Sequence, residues 1–421
     1  MIPNLTPDIA LAEKMFDELR AKSFDGVGIT REAYGPGEAM AHAMVARESA
    51  ALGLEVATDF AGNLYATLPG ADRAAPRVLI GSHLDSVPQG GNFDGAAGVL
   101  AGMATVAGMR KAGFTPSRDI TVLAVRAEEA GAWFPTSYPG SRSALGRLKP
   151  EELQVKRQDS GRPLEAYMRE AGFDPDAVRS GQRRLGPDNV AAFVELHIEQ
   201  GPVLEADGIP VGIVTGIPGS RRHRHARITG EYSHSGAVPR KYRADAAIAM
   251  AELAYRLDAY WGELDRDGHR LVCTFCEVAT GAQSGFTKIS GEVNFSLDVR
   301  SVAREPLDLM FNELRRLKAE IEASRSVAID LGPETSSMAS PMHPTVIAGL
   351  TAAAERLRIP AKIMASGGGH DAAAFAQAGV PAGMVFVRNQ NGSHNPHEAM
   401  RMDDFAAGAA VVAQFAAAYA T

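Results

Sequence analysis

The hydrophobic pattern alternates between short apolar runs of strand length and longer segments with helical spacing. Residues 77–87 (RVLIGSHLDSV) and 119–129 (DITVLAVRAEE) predict buried strands, and the small-residue apolar face of GAAGVLAGMATVAGMRKAG between them predicts a helix. Residues 191–201 (AAFVELHIEQG) and 381–396 (PAGMVFVRNQNGSHNP) predict two further strands. All four runs end in polar segments. Because open α/β sheets bind ligands at the carboxyl ends of their strands, we expect these four ends to lie close together.

The pattern changes between residues 216 and 331. Three segments have the alternating faces of antiparallel strands, RRHRHARITGEYSHSG, RLVCTFCEVAT and GEVNFSLDVR, and YRADAAIAMAELAYRLDAYWGEL has helical spacing. We therefore predict an inserted α+β domain of the ferredoxin-like type over 216–331. It interrupts an α/β domain with a mixed sheet, formed by residues 1–215 and 332–421. The Ala-rich end of the chain predicts a small-residue helix packed on that sheet.

Composition places the chain among globular proteins of two domains. It has 421 residues, of which 45% are hydrophobic and 22% charged. The formal net charge of −7 argues against nucleic-acid partners, which need clustered Lys and Arg. No run approaches the roughly 20 apolar residues of a membrane span, and the N-terminus lacks the pattern of a secretion signal. We expect a cytoplasmic protein with no membrane partner.

Two cysteines, Cys273 and Cys276, are the only ones in the chain. They exclude a disulfide framework and favour a reducing compartment. Their C-x-x-C spacing is also found in redox and zinc sites. However, RLVCTFCEVAT is rich in β-forming residues, has no second cysteine pair beside it and does not open a helix. We assign it to a strand.

Ionisable residues collect where the four predicted strands end. The first strand contributes His83 and Asp85, with Asp94 in the loop that follows; the second contributes Glu128 and Glu129, the third His197 and Glu199, and the fourth His394, His397 and Glu398. Buried carboxylates at this density repel one another unless cations neutralise them. A single histidine at a strand end would be an ordinary hydrogen-bonded group, but the convergence predicts a metal site. Imidazole and carboxylate ligands suit Zn²⁺, with Mn²⁺, Co²⁺ or Ni²⁺ as alternatives.

Two spacings within this set indicate that its members have different roles. His83 and Asp85 are two residues apart, which would put them on one face of a strand and let the carboxylate orient the imidazole. Glu128 and Glu129 are adjacent and must point in different directions. One of them could therefore bind metal while the other handles protons.

These segments resemble the two-metal M20 peptidase superfamily, and within it the hydantoinase/carbamoylase branch, which includes N-carbamoyl-L-amino-acid hydrolases, allantoate amidohydrolases and β-ureidopropionases. The resemblance extends over nearly the whole chain. The segments that carry it are GSHLDSVPQGGNFDGAAGVLAG, AEEAGAWFPTSYPGSRSALG, ELHIEQGPVLE, GEYSHSGAVPR, GEVNFSLDVR, SGGGHDA and GSHNPHEAM. ELHIEQGPVLE is the segment that favours the carbamoylase branch over the M20 dipeptidases.

The resemblance implies two divalent ions in each subunit and a role for each nearby residue. His83 and His197 would bind one ion, Glu129 and His394 the other, and Asp94 would bridge them. Ions about 3.5–4 Å apart acidify a bridging water, whose hydroxide attacks the scissile carbonyl. Glu128 would act as the general base, and Asp85 would orient His83.

The resemblance also implies how substrate is bound. His234 of YSHSG would reach across a dimer interface to stabilise the oxyanion, so the inserted domain would serve as a lid and as the interface of a homodimer. Gln200 and Arg300 would contact the substrate, and a guanidinium suits a carboxylate. SGGGHDA has no P-loop lysine, so Gly368 and Gly369 would instead bring backbone amides to a small-molecule substrate.

Two segments depart from the branch and bear on the substrate. TKISG puts Thr287 where the branch has the asparagine of N-V-x-P-G, and Ser290 at the proline position. A threonine hydroxyl lacks the geometry of an amide, so contact with an ordinary α-carboxylate is open to question. In the second segment, HSGAVPR stands where HAGTTPM is common. The basic residues 221–225 just before it form either a solvated β-ribbon or part of the substrate cleft, and both interpretations remain open.

We therefore predict a metal-dependent amidohydrolase that cleaves a linear amide or ureido C–N bond in a small polar molecule. An N-carbamoyl amino acid or a related ureido acid is the favoured substrate. A dipeptidase or N-acyl-amino-acid deacylase of the M20 type is the alternative enzyme. A metal-containing protein that binds a small molecule without catalysis is the alternative from another class, and the presence of Glu128 argues against it.

Overall fold

The computed structural model describes residues 5–421, which divide into two compact units. One unit is Pro218–Ser340, and the other comprises the described chain up to Ile217 and from Pro341 onward. None of the helices within residues 5–421 is both long enough and apolar enough to cross a membrane.

The helices and strands are numbered in chain order. Before the insert they are α1 Ile9–Ser23, α2 Pro36–Ala51, β1 Glu55–Thr58, β2 Leu64–Leu68, β3 Arg77–His83, α3 Ala96–Lys111, β4 Ile120–Val125, α4 Ala130–Trp133, α5 Pro139–Ala144, α6 Leu164–Glu170, α7 Pro175–Arg179, β5 Val190–Ile198, α8 Val203–Asp207, β6 Val211–Val214 and β7 Gly216–Ile217. In the insert they are β8 Gly219–Thr229, β9 Ser233–His234, α9 Ala246–Arg266, β10 Val272–Thr280, β11 Lys288–Ile289, β12 Glu292–Ser301, α10 Arg304–Arg325, β13 Ala328–Asp330 and β14 Glu334–Ser337. The remaining elements are β15 Ser340–Pro341, α11 Pro344–Leu357, β16 Ala361–Met364, α12 Asp371–Gln377, β17 Ala382–Val387, β18 Asn389–Gln390, β19 Ala399–Met400 and α13 Met402–Tyr419. Short 3-10 helices lie at Pro150–Gln154 and Arg240–Tyr242.

The larger unit is built on a mixed sheet of eight strands in the order β1-β2-β4-β3-β5-β17-β6-β16. The four strands predicted from the apolar runs are β3, β4, β5 and β17. They are neighbours in the centre of this sheet and run parallel to one another. The expectation that their carboxyl ends meet at one edge is confirmed.

These four strands end earlier than the apolar runs. The last strand residues are His83, Val125, Ile198 and Val387. Just beyond the ends of β4 and β5, Ala127 and Gln200 have φ angles of 58° and 64°, and His394, in the loop after β18, has a φ of 58°. A strand does not take a positive φ, so the chain turns at these points. The ionisable residues beyond each strand therefore lie on loops, which can direct them toward a common point.

Helices α3 and α13 cover the site-bearing part of this sheet. In α3, a Cβ added at Gly98 would lie 2.2 Å from the Leu196 carbonyl oxygen, and one at Gly102 would lie 2.9 Å from Val122. The absence of these side chains lets α3 approach the sheet closely. Helix α13, predicted from the Ala-rich end of the chain, packs against α3 and β17 with its small residues buried. The loop that carries Asp94 leads directly into α3 and is anchored by that packing.

The inserted unit has an antiparallel sheet in the order β10-β12-β8-β13, and α9 and α10 share its hydrophobic core. With the chain order β8-α9-β10-β12-α10-β13, this is the ferredoxin-like arrangement predicted from the sequence. Strand β10 includes both cysteines, so their assignment to a strand is confirmed. The insert predicted over 216–331 ended too early, because β14 pairs with the first half of β8 and belongs to the same unit.

Candidate metal centre

Side chains from the four central strand ends form two clusters suited to metal ions. One consists of His83, Asp94 and His197, the other of Asp94, Glu129 and His394, and within each the candidate ligand atoms lie within 4.8 Å of one another. Asp94 Oδ1 lies 3.6 Å from His83 Nε2 and 3.2 Å from His197 Nε2, while Oδ2 lies 3.5 Å from His394 Nε2. One carboxylate therefore stands between the two clusters.

The two buried imidazoles are oriented by oxygen acceptors. His83 Nδ1 is 3.1 Å from the Asp85 carbonyl oxygen and 3.3 Å from Asp85 Oδ1, and His197 Nδ1 is 2.9 Å from the Ile198 carbonyl oxygen. Oxygens of this kind accept but do not donate, so in the neutral imidazole each Nδ1 carries the hydrogen and each Nε2 has a lone pair that a metal ion can use. The Gly95 N–H donates to His197 Nε2, in agreement with that tautomer. Metal-binding histidines are commonly held this way.

The predicted contact between His83 and Asp85 is present, but its predicted cause is wrong. Strand β3 ends at His83, so the two residues do not share a strand face. The turn after the strand brings the carboxylate back to the ring instead. Asp85 also accepts the backbone N–H groups of Glu128 and Glu129, each at 3.0 Å. It therefore links the loop after β3 to the loop after β4.

The donor set fits a divalent cation. Asp94 Oδ1 is buried and has no hydrogen-bond partner among residues 5–421. A buried carboxylate oxygen without a partner is costly, and the nearest side-chain atoms are imidazole nitrogens with lone pairs rather than hydrogens. A cation would satisfy all of these atoms at once. Nitrogen and carboxylate oxygen ligands are those that Zn²⁺ and similar ions accept.

Electrostatics in the cluster favour positive charge. Burial alone would lower the pKa of His83, but Glu128 and two aspartates outweigh it, and the pKa lies well above its usual value. Burial opposes ionisation of Asp94, yet His197 and the other imidazoles hold the pKa of Asp94 well below its usual range. Hydrogen bonds to Asp94 and to the other carboxylate of its cluster raise the pKa of His394 to about 10. The surrounding carboxylates thus favour a cation, whether a proton or a metal ion.

Glu128 lies beside the clusters without belonging to either of them. Its Oε2 is 3.8 Å from His83 Nε2, whereas Glu129 Oε1 is 2.9 Å from His394 Nε2. Burial raises the pKa of Glu128 well above its usual range, with Glu129 adding repulsion and His83 opposing both. The two adjacent carboxylates therefore face different histidines, Glu128 facing His83 and Glu129 facing His394, as expected for neighbouring residues that point in different directions.

Glu398, one of the predicted strand-end candidates, supports the loop that carries Asp94. Its Oε1 accepts the backbone N–H groups of Phe93 (2.9 Å) and Asp94 (3.2 Å). The Ser393 hydroxyl lies 2.5 Å from Asp94 Oδ2 and 2.6 Å from Glu398 Oε2. This carboxylate fixes the backbone of the bridging residue and is not in the metal clusters.

Two other strand-end candidates take no part in the clusters. Glu199 accepts the backbone N–H groups of Val203 and Leu204, so it caps the start of α8. His397 is exposed, and its backbone is bound by the side chains of Asn391 and Asn395. Both residues stabilise loops next to the site.

The glycine-rich loop lies against two polar side chains. Gln200 Nε2 donates to Asp94 Oδ2 at 2.7 Å, and a Cβ added at Gly368 would lie 3.0 Å from Gln200 Oε1. A Cβ added at Gly369 would lie 1.9 Å from the Tyr138 hydroxyl oxygen. A side chain at Gly369 would collide with Tyr138, whereas one at Gly368 would require only a small shift of Gln200. The loop passes close to the metal clusters through Gln200.

Tyr138 and Glu195 lie at the site but were not predicted from the sequence. Burial and the carboxylate of Glu128 raise the pKa of Tyr138 well above its usual value, so its hydroxyl keeps its proton. Nothing in the SYPGS segment marks this residue. Glu195 accepts the Ser82 hydroxyl and the Ala372 N–H and lies in a further group with His197 and His370. Its spacing of two residues from His197 on one strand was a usable signal.

In the inserted unit, the hydrogen position of His234 is defined by its neighbours. His234 Nδ1 accepts the backbone N–H groups of Gly236 and Ala237, each at 3.1 Å. The hydrogen is therefore on Nε2, at an exposed side chain. Thr287 lies beside it, because the Ser235 N–H donates to the Thr287 carbonyl oxygen at 2.9 Å. His234 is thus a hydrogen-bond donor pointing away from its own backbone.

Arg300 and the basic segment are partly engaged within the insert. Arg300 donates through Nε and Nη2 to Asp298 Oδ2, while Arg222 Nε lies 3.1 Å from Asp298 Oδ1. Arg221 pairs with Glu334 and with an acidic residue of α10. These contacts hold Arg221 and Arg222 within the inserted unit. Arg300 remains partly exposed and keeps Nη1 without a partner among the described residues.

The sequence matches the model of Peptidase family M20/M25/M40 over residues 79–418, and the chain belongs to this family. Two relatives match over most of both chains. An N-carbamoyl-L-amino acid amidohydrolase of Geobacillus stearothermophilus is 37% identical over 91% of this chain and 92% of its own. An allantoate amidohydrolase of Escherichia coli (strain K12) is 33% identical over 92% of each.

A solved structure has the same fold over almost its full length. It is a hydantoinase/carbamoylase family amidase from Burkholderia ambifaria, 31% identical, with a TM-score of 0.88. The match covers 99% of this chain and 97% of that one. The resemblance stated from the sequence motifs is confirmed at the level of the family and of this branch.

Proposed function

We propose that this protein is a dinuclear metal-dependent amidohydrolase that cleaves a ureido C–N bond in a small acid. An N-carbamoyl amino acid or a related ureido acid is the favoured substrate, and the products are an amine, CO₂ and ammonia. The observation that carries the proposal is the position of Asp94 between two histidine-containing clusters, with Glu128 free beside them. The names of the relatives support a ureido substrate over a peptide.

The two ions would be held by the clusters described above. His83 and His197 would hold one, Glu129 and His394 the other, and Asp94 would touch both. Divalent ions at such a site lower the pKa of a water molecule and polarise a carbonyl oxygen, with Zn²⁺ favoured and Mn²⁺, Co²⁺ or Ni²⁺ as alternatives. Asp85 fixes the ring of His83 and the backbone of the glutamate pair, so the geometry exists before substrate arrives.

Glu128 would move the proton. It is a buried carboxylate next to the clusters and outside both of them. In that position it can accept a proton from the attacking water and deliver it to the departing nitrogen. Gln200, Gly368 and Gly369 would line the substrate pocket, since Gln200 donates to Asp94 Oδ2 and the glycines lie against Gln200 and Tyr138.

His234 would act from the partner subunit of a homodimer. Its Nε2–H is a donor suited to a developing oxyanion. Strand β10 supports assembly through the insert, because it pairs with β12 on one side and with no other described strand. Its Val272 and Val278 side chains are exposed. An open strand edge of this kind is a template for pairing with a second copy.

Complementation between inactive variants tests the shared site. His234→Ala and Glu128→Gln proteins, each purified separately, are expected to have little activity. After subunit exchange, half of the dimers would be mixed, and each mixed dimer would contain one site with both residues intact. Activity should then recover to about a quarter of the wild-type value. Each variant exchanged with itself is the control, and an absence of recovery despite mixed dimers would place His234 outside its partner's site.

A substrate panel tests the reaction. Ammonia and primary amine would be measured for N-carbamoyl amino acids, allantoate, β-ureidopropionate, N-acyl amino acids and dipeptides, using protein loaded separately with each candidate metal. Metal-dependent ammonia release from a ureido acid is expected. Amine without ammonia would instead identify a deacylase or dipeptidase. Thr287 stands where the branch has asparagine, and Arg300 is hydrogen-bonded to Asp298. The panel should therefore include acids that differ in the position of the carboxylate, since the preferred acid would show where this group is bound.

A further inference from the structure

The segment between β4 and α4 is held by side chains at four consecutive backbone amides. The N–H groups of residues 126–129 donate in turn to Asn63 Oδ1 (2.9 Å), Glu38 Oε1 (2.7 Å), Asp85 Oδ1 (3.0 Å) and Asp85 Oδ2 (3.0 Å). This segment carries both Glu128 and Glu129. Neither a strand ladder nor a helix fixes its shape, so the three acceptor side chains do.

Glu38 is the carboxylate among these acceptors that makes no hydrogen bond to a proposed metal ligand. It comes from α2, is fully buried, and belongs to neither metal cluster. Its second oxygen accepts the Tyr34 N–H at 2.7 Å and Arg126 Nη1 at 3.1 Å. Three donors therefore share two carboxylate oxygens, and the Arg126 guanidinium offsets the buried charge. A neutral side chain cannot satisfy the same set.

Ala127, whose amide Glu38 holds, is in a strained conformation. Its φ of 58° is in the left-handed region, which alanine disfavours because of its Cβ. This residue sets the direction of the next two side chains, Glu128 toward His83 and Glu129 toward His394. Without an acceptor for the Ala127 N–H, the backbone would relax to a more favourable conformation and both glutamates would turn.

We infer that Glu38 is a positioning residue that holds Ala127 in its left-handed conformation. It thereby directs the side chain of Glu128 toward the proposed metal centre. It acts through the backbone and touches neither metal nor substrate. The expected effect of Glu38 on turnover rests on the proposed function. Its expected effect on the backbone of residues 126–129 does not depend on that function.

The test is Glu38→Gln, which keeps the shape of the side chain but puts an NH₂ group where an oxygen accepts. We expect kcat to fall about 10–100-fold, the scale of a small misplacement of a reacting group, with KM changed less than about twofold. Metal content should remain that of the wild type. Amide hydrogen exchange at residues 126–129 should become faster, because their acceptors are no longer all in place.

Asp119→Asn is the matched control. Asp119 is a buried carboxylate immediately before β4, and its Oδ1 accepts the Gly70 N–H at 2.9 Å. It resembles Glu38 in burial and chemistry but lies at the other end of the strand. We expect a comparable loss of thermal stability in this variant with kcat unchanged. If Glu38→Gln also lost only thermal stability, the inference would be overturned.

The double variant Glu38→Gln/Ala127→Gly separates positioning from folding. Glycine accepts a positive φ without strain, so the turn should regain its shape and kcat should recover several-fold over Glu38→Gln. No recovery would mean that Glu38 acts in some other way. If the wild-type protein cleaved no ureido acid, the proposed function would fail, and hydrogen exchange at residues 126–129 would still decide the role of Glu38.

Discussion

Glu128→Gln is expected to lower kcat about 10³-fold while the metal content stays at the wild-type level, which is the scale of losing a general base. Glutamine keeps the size of the side chain but cannot take a proton from the attacking water. Because Glu128 lies outside both metal clusters, it is not expected to be a ligand of either ion. The measurements are kcat at saturating substrate and metal content by inductively coupled plasma mass spectrometry.

Glu129→Gln is the neighbouring control for that experiment. Glu129 Oε1 faces His394 Nε2 at 2.9 Å, so this variant should lose metal as well as turnover. Loss of metal in Glu128→Gln would instead make Glu128 a ligand. Unchanged turnover would remove the general base and favour the alternative of a binding protein without catalysis.

Asp94→Ala is expected to abolish turnover, a loss of at least ~10⁴-fold, and to remove most of the metal from both clusters. Asp94 is the residue that the two clusters share, and its Oδ1 has no protein partner among the described residues to compensate. The measurements are metal content after dialysis and the melting temperature with and without added metal. The wild-type melting temperature should rise with metal, since an ion that binds only the folded state stabilises it.

Asp94→Asn serves as the shape-matched control. It retains one oxygen that can accept from Gln200 and Ser393, so it should fold as well as the wild type. It lacks the charge that balances two ions and should bind metal weakly. An Asp94→Ala protein that kept both metal equivalents would refute the bridging position.

The four central strands and the residues at their ends could be predicted from the sequence because both follow from local patterns. Apolar runs mark buried strands, and polar residues such as His83 and His197 mark where those runs stop. The exact ends of β4 and β5 could not be placed, because the chain turns just beyond them at Ala127 and Gln200. These residues give no sign in the sequence that they adopt a positive φ.

Glu398 was among the predicted strand-end residues, but its supporting role and that of Glu38 could not be predicted, for a different reason. Glu38 lies in α2 and Glu398 precedes α13, and both act on backbone amides far away in the chain. No periodicity links a carboxylate to an N–H group in another element, since only the folded chain brings them together. The end of the insert was missed in the same way, because β14 belongs to it through pairing with β8.

The two clusters differ in how far they are open to solvent, and this affects how ions would come and go. The side chains of His83 and His197 are each 1% exposed, whereas that of His394 is 51% exposed. An ion held partly by His394 would exchange with the medium faster than one enclosed by the two buried imidazoles. The protein would therefore lose and regain its two ions one after the other, with the ion at His394 exchanging first. In a mixed supply of metals, the open position would take whichever ion is abundant while the enclosed one kept its original occupant.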